Sequence, residues 1–330
     1  MKRRNFLQLA AASTMMLPSL MKAQQPDGIV RVGWMSAAQP TANDANMSAF
    51  FRGMREFGYV EKQNFALESR FGDGKSALMQ DQALELERLG VAVIVAGPFA
   101  ALQAAKQSTT STPIIMTPAA DPVAVGIVKS LDHPGENITG ITEMMPELTP
   151  DRIRLMKQIM PMLSRVAILF GPGMLDEGVF ARTIEQSLAV AGPLGIQIQL
   201  VPASKVQDFD AAFTAMEKES AEALIVLINP VFFGQRIDII ERAAKQRLPA
   251  MYEWKPFVQA GGLISYGADV PDIYRRAAGI AVKIIKGTKP GDIPVGRPEL
   301  FNIGLNLKTA QALGLAIPDH IRQQAVEVIE

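Results

Sequence analysis

The side chains best suited to recognising a small molecule gather just past the ends of strand-like runs. In the first half these are Ser36 and Ala37, Gly97-Pro98-Phe99, and Thr117 to Asp121. In the second half they are Gly171-Pro172-Gly173, Asn229-Pro230-Val231-Phe232 and Tyr252-Glu253-Trp254. Phe99, Phe232 and Trp254 could enclose a flat apolar group, since aromatic faces favour offset or edge contacts worth ~1 kcal/mol beyond burial. The competing assignment for these three is ordinary core or rim aromatics. Glu253 or Asp121 could take an ammonium, although Asp121 serves equally well as a turn former before Pro122. A helix starting after Ser36 or Gly173 would offer free N–H groups to a carboxylate. All of this is the chemistry of reversible recognition.

Covalent and metal chemistry find no such gathering. The chain has two histidines, His133 beside Pro134 and His320 in the tail, with no metal-ligand spacing and no neighbouring nucleophile. It has no cysteine, which removes disulfides, thiolate metal sites, cysteine nucleophiles and the acceptor for a lipid anchor. No nucleophile elbow, phosphate loop or dinucleotide fingerprint is present, and Gly171-Pro172-Gly173 lacks the third glycine. The expectation is a protein that is not an enzyme and carries no cofactor or metal. With 33 basic and 33 acidic residues the net charge is zero, which gives no electrostatic case for nucleic acid. Arg275-Arg276 reads as a solvated helix face.

The N-terminus reads as an export signal over residues 1–23. Lys2, Arg3 and Arg4 precede an apolar run from Phe6 to Leu20, shorter than the ~20 residues a membrane span needs, and the expected cut follows Ala23. Arg3-Arg4-Asn5-Phe6-Leu7 also resembles a twin-arginine signal, with Lys2 and Gln8 as departures from it. The remainder is long enough for two domains of ~150 residues, and 48% hydrophobic residues supply their cores.

Candidate residues need elements to hold them, and the chain alternates short β-rich runs with helical ones. Ile29 to Met35, Phe65 to Arg70, Val91 to Ala96 and Pro113 to Met116 predict strands, separated by helices at Met47 to Phe57, Ala77 to Leu89 and Ala100 to Gln107. Unbroken apolar strands such as Val91 to Ala96 are expected where helices cover both faces of a parallel sheet. The order then repeats. Strands are predicted at Arg165 to Phe170, Ile196 to Val201, Ala223 to Ile228 and Pro249 to Tyr252, with helices at Glu177 to Ala191, Phe209 to Ser220 and Arg236 to Gln246. Ala104-Ala105-Lys106-Gln107 before Pro113 is echoed by Ala243-Ala244-Lys245-Gln246 before Pro249, and the offset nearly matches that between Val32 and Val166. One α/β unit is thus present twice. Two doubly wound lobes of this kind can face each other across a cleft, each presenting the crevice beyond its strands' carboxyl ends.

Ala260 to Gly267, Tyr274-Arg275-Arg276-Ala277-Ala278, Lys286-Gly287-Thr288-Lys289-Pro290 and Asn306 to Leu315 resemble the ABC-transporter substrate-binding proteins of the tryptophan/tyrosine type. Asp121-Pro122-Val123, Ser130-Leu131, Pro134 to Gly140 and the Ala23-Gln24-Gln25 junction agree with it, while Glu136 and Gly296 to Leu300 depart from it. The resemblance implies a type I periplasmic-binding fold with three crossings near Gly140, Asp269 and Pro298. Lobe 1 would be residues 28–140 plus 269–298, and lobe 2 residues 141–268 plus 299–330. It further implies a periplasmic, monomeric receptor that closes by a hinge around a small organic ligand and delivers it to an ABC permease. The expected ligand is an amino acid with an aromatic or large apolar side chain. The alternative is a sensing module that signals to a membrane partner; an exported α/β enzyme is a third reading.

Overall fold

A computed structural model of the chain describes residues 28–72, 77–97, 99–119, 122–123, 125–143, 145–171, 177–227 and 230–330. The predicted export signal therefore lies outside the described residues. The first half runs β1 (Val30–Ser36), α1 (Asp44–Glu56), β2 (Phe65–Phe71), α2 (Ala77–Arg88), β3 (Val93–Ala96), α3 (Phe99–Ser108), β4 (Ile114–Ala119) and β5 (Ile138–Thr142). The second half runs α4 (Met145–Ile159), β6 (Arg165–Phe170), α5 (Glu177–Ala191), β7 (Gln197–Pro202), α6 (Phe209–Lys218), β8 (Ala223–Val226), α7 (Pro230–Gly234), α8 (Arg236–Lys245), β9 (Ala250–Tyr252), α9 (Lys255–Gln259) and β10 (Ile264–Ala268). Then follow α10 (Val270–Ile285), β11 (Phe301–Asn306), α11 (Leu307–Leu313), α12 (Asp319–Gln324) and β12 (Ala325–Ile329).

The strands form two sheets. The first has the order β2-β1-β3-β4-β5, all parallel. The second has the order β12-β11-β10-β9-β8-β6-β7. Its segment β7-β6-β8-β9-β10 repeats the first sheet's order strand for strand, as the Ala-Ala-Lys-Gln echo predicted. One pairing departs from the all-parallel expectation, because β11 runs antiparallel to β10. The chain reaches β11 after α10 has returned to the first sheet, so it enters the second sheet from the opposite end.

Strand composition follows from burial on both faces. In β1, Val32 and Trp34 enter the core under α1 and α10, while Met35 enters the core under α2 and α3. In β3, Val93 and Val95 face the first of these cores and Ile94 and Ala96 the second, so no polar residue interrupts the run. The second sheet is sandwiched in the same way. Val166 and Ile168 pack with α4, α5 and the C-terminal helices, and Ala167 and Leu169 pack with α6 to α9.

Helix α10 follows a strand of the second sheet but covers the first. Asp269 caps it by accepting a hydrogen bond from Asp272 N (3.1 Å), and Ile273, Tyr274, Ala277, Ala278 and Ala281 form its buried stripe. It approaches α1 so closely that a Cβ on Gly53 would stand 2.1 Å from the Arg275 carbonyl oxygen. Residues at positions 53 and 278 must therefore stay small.

The chain passes between the sheets after β5, at Asp269 and over residues 297–300, and these passages are tied to one another. Gly296 N donates to Gly140 O (2.8 Å), Thr142 N donates to Gly296 O (3.0 Å), and Asp269 N donates to Leu300 O (2.9 Å). Arg276, read from sequence as solvated, clasps the last passage: its Nη1 donates to Arg297 O (2.7 Å) and its Nη2 lies 2.8 Å from Glu299. Arg275 pairs with Asp272 (2.8 Å) and Glu56 (3.1 Å).

Candidate functional site

Parallel α/β sheets bind ligands beyond the carboxyl ends of their strands. A cavity of about 10 Å³ lies there, where the passages between the sheets converge. Glu143 enters it from the end of β5, Leu148 and Arg152 from α4, Glu253 and Trp254 from the end of β9, Gly267 and Ala268 from β10, and Val270 from the start of α10.

Its centre is charged. Arg152 is 2% exposed, and its guanidinium is held by three neighbours: Nε donates to Tyr266 O (2.9 Å), and Nη1 reaches Thr149 Oγ1 (3.3 Å) and Glu253 Oε1 (2.8 Å). Glu253 is 5% exposed. Charges taken this far from water must be paired and hydrogen-bonded, and this one is. Glu143 adds a second carboxyl that the same guanidinium does not ion-pair. Part of its surface is still accessible, yet the surrounding protein displaces most of its water. That burial, reinforced by the Glu253 charge and opposed by Arg152, pushes its carboxyl up to about 8. At neutral pH Glu143 therefore mostly holds its proton. Tyr274, whose OH donates to Thr117 O (3.1 Å), is pushed up to about 12, by burial first and by the Glu143 charge in addition.

Small residues set the spacing. A Cβ on Gly267 would lie 2.2 Å from the Glu253 carbonyl oxygen, so glycine alone lets β10 pass the chain that carries the carboxylate. Aromatic rings pack behind Trp254. Trp254 meets Phe233 edge to face (5.4 Å, 73°), Phe233 meets Phe257 (6.3 Å), and the Arg236 guanidinium sits 5.2 Å over Phe233.

The structure brings Glu253 and Trp254 together at this cavity. Ser36 is buried, and its hydroxyl accepts from Ala38 N (3.2 Å). Ala37 packs beside the first sheet's core. The helix expected after Ser36 starts only at Asp44, following a 3-10 turn at Pro40–Asn43, so its N-terminus is not at Ser36. Thr117 is fully buried at the end of β4, and its Oγ1 has no hydrogen-bond partner among the described residues. Phe99 opens α3 at 40% exposure, and Gly171 follows β6. Phe232 sits elsewhere than the sandwich with Phe99 required. It is fully buried in the core under α7 and meets Phe209 edge to face (5.7 Å), and Phe233 is the ring that reaches Trp254. Tyr252 is likewise buried, stacked on Phe257 at 4.7 Å, and its phenol is pushed far up by burial alone. Pro98, Asp121 and Asn229 lie outside the described residues, as do Pro172 and Gly173.

Sequence reasoning missed Glu143, Arg152 and Phe233. A signal existed for Arg152: Leu148, Thr149, Arg152, Leu155, Met156 and Ile159 form one i, i+3, i+4 stripe, and every member is buried. An arginine in such a stripe must meet a buried partner. Among the described residues no group of three or more His, Cys, Asp or Glu could hold a metal ion, and no helix is long and apolar enough to cross a membrane.

The profile of the ABC transporter substrate binding protein family matches residues 35–329. The chain belongs to that family. Family members bind a substrate rather than transform it, so this protein is a binder and not an enzyme. A tyrosine-binding protein from Clostridioides difficile is 22% identical over 285 residues, which is 86% of this chain and 81% of that protein. Among solved structures, a conserved domain protein from Vibrio cholerae O1 biovar eltor superposes with a TM-score of 0.79 at 24% identity, covering 91% of this chain and 100% of the other. The ABC domain in complex with L-Trp from Streptococcus pneumonia gives 0.79 at 23% identity, covering 92% and 100%. The family member described here thus has the type I periplasmic-binding fold.

Proposed function

We propose that this protein is the periplasmic receptor of an ABC importer and takes an amino acid with an aromatic side chain into the crevice between its sheets. The observation that carries the reading is the Glu143–Arg152–Glu253 group beside Trp254, at the converging strand ends. It holds two carboxyl groups against one guanidinium, a deficit that an α-ammonium would fill, next to a ring that a flat side chain can stack on. The named ligands of two similar proteins, tyrosine and L-Trp, support the same class. On the other side of the crevice the free hydroxyl of Thr117 is a candidate for the ligand carboxylate, with Ser36, Ala37 and Phe99 as further wall.

Residues 28–140 plus 269–298 and 141–268 plus 299–330 would move as lobes about the tied passages, and ligand would favour the closed form that a permease recognises. Lys2, Arg3, Arg4 and the Phe6 to Leu20 run would export the chain, with cleavage after Ala23, and the receptor would work as a monomer. A thermal-shift screen over the common amino acids tests the ligand class. Tryptophan or tyrosine at ~100 times its Kd should add ~2.7 kcal/mol, which is ~4 °C for a chain of this size. A screen in which only branched-chain or polar amino acids raise Tm would refute it.

A further inference from the structure

We propose that ligand capture at this site is an exchange of cations: Glu143 gives up a proton as the ligand's ammonium arrives. The inference rests on the amino-acid reading above and names the regulation of that site. Three ionisable side chains line a space of about 10 Å³, and the one guanidinium among them already contacts Glu253, Tyr266 O and Thr149. Two ionised carboxylates beside one committed guanidinium leave an unmatched negative charge in a place with little water, so an empty site is neutralised by a proton on Glu143. An ammonium seated there supplies the missing charge, and the proton is no longer needed.

Among the described residues, the titratable and charged groups that face Glu143 are Glu253 past β9, Arg152 on α4 and the Tyr274 phenol on α10. Glu253 raises the proton affinity and Arg152 lowers it, while the Tyr274 phenol stays neutral across the accessible range. The balance places the empty-site carboxyl at about 8. The sign follows. Below that value the free site holds a proton that ligand must displace, so binding weakens as pH falls; above it the site is already ionised and the dependence flattens. A carboxyl that titrates near 8 when empty and stays ionised from pH 6 to 8 when loaded gives roughly 50-fold weaker binding at pH 6 than at pH 8, with about 0.9 proton released per ligand at pH 7. The ligand must also carry the cation, so an aromatic propionate that lacks the amino group is excluded.

The test is isothermal titration calorimetry of the full-length mature protein with L-tryptophan and L-tyrosine. It is run at pH 6, 7 and 8 in paired buffers of different ionisation enthalpy, with indole-3-propionate as the ammonium-free probe. The expected result is a buffer-dependent enthalpy reporting about 0.9 proton released at pH 7, the ~50-fold loss from pH 8 to pH 6, and no binding of the propionate. Glu143→Gln, checked for folding by circular dichroism, should bind more weakly with no proton release and no pH dependence. Binding of the amino acids by the native protein without proton release, or unchanged pH dependence in Glu143→Gln, overturns this inference and leaves the ligand assignment standing. No binding at any pH overturns both. The buffer series needs only the native chain, so an unfolded variant would not rescue the proposal.

Discussion

Replacing Arg152 with methionine strands the Glu253 carboxylate where the chain can least tolerate it. The pair is 2.8 Å apart with side chains 2% and 4% exposed, and a gross attraction of about 6 kcal/mol follows at an effective dielectric constant near 20. Desolvation offsets part of that, and breaking one partner of a buried pair costs about 3–5 kcal/mol because the other is left uncompensated. With an unfolding entropy of about 2.1 cal/mol/K per residue, 4 kcal/mol lowers Tm by roughly 6 °C if the mature chain unfolds as one unit, and by about twice that if the second half unfolds alone. The assay is a double-mutant cycle by calorimetric melting at pH 7, using Arg152→Met, Glu253→Gln and the double variant. Each single change should lower Tm by more than the pair's deletion adds, because the double variant no longer carries a stranded charge. A Tm for Arg152→Met within 1 °C of the native protein, or strictly additive losses, would refute the argument that this ion pair anchors the site.

Three further outcomes follow from particular contacts. Glu143 binds a proton in the native state between the ordinary carboxyl value of 4.5 and about 8, where the unfolded chain does not. Stability therefore falls as pH rises through that window, and Glu143→Gln should raise Tm relative to the native protein at pH 8 more than at pH 5; a constant difference contradicts it. Phe232→Ala should cost about 3–5 kcal/mol by chemical denaturation, since the ring is fully buried, whereas Phe99→Ala at 40% exposure should cost under about 1 kcal/mol; equal losses would show that the two rings share an environment. Gly267→Ala drives a methyl into the Glu253 carbonyl, so it should destabilise by about 1–3 kcal/mol and weaken ligand binding together, measured by melting and titration on the same sample.

The sheet architecture was legible because its signals are local. Val93 to Ala96 needs apolar residues at every position only if both faces are covered, and the paired Ala-Ala-Lys-Gln helices mark the same place in each unit. The antiparallel entry of β11 was not legible, since it depends on α10 returning to the other sheet, a contact made far along the chain with α1. At the site, the rule of reading past strand ends found Glu253 and Trp254. It took Phe232, at the position that matches Phe99 in the repeated unit, and passed over Phe233: a one-residue step on a helix swings a side chain by about 100°, and the phase of the five-residue α7 cannot be read from so short a run. Glu143 stands one position past β5, where the same rule would have placed it, but its chemistry comes from Arg152 and Glu253 on other elements. Spacing along the chain carries no trace of that encounter.

The most direct check is a structure of the protein with L-tryptophan or L-tyrosine bound. The ring should lie against Trp254 between the two sheets, with the ammonium within hydrogen-bond distance of Glu143 or Glu253. A ligand seated away from the strand ends, or a crevice that stays filled by protein while ligand binds elsewhere, would contradict the account.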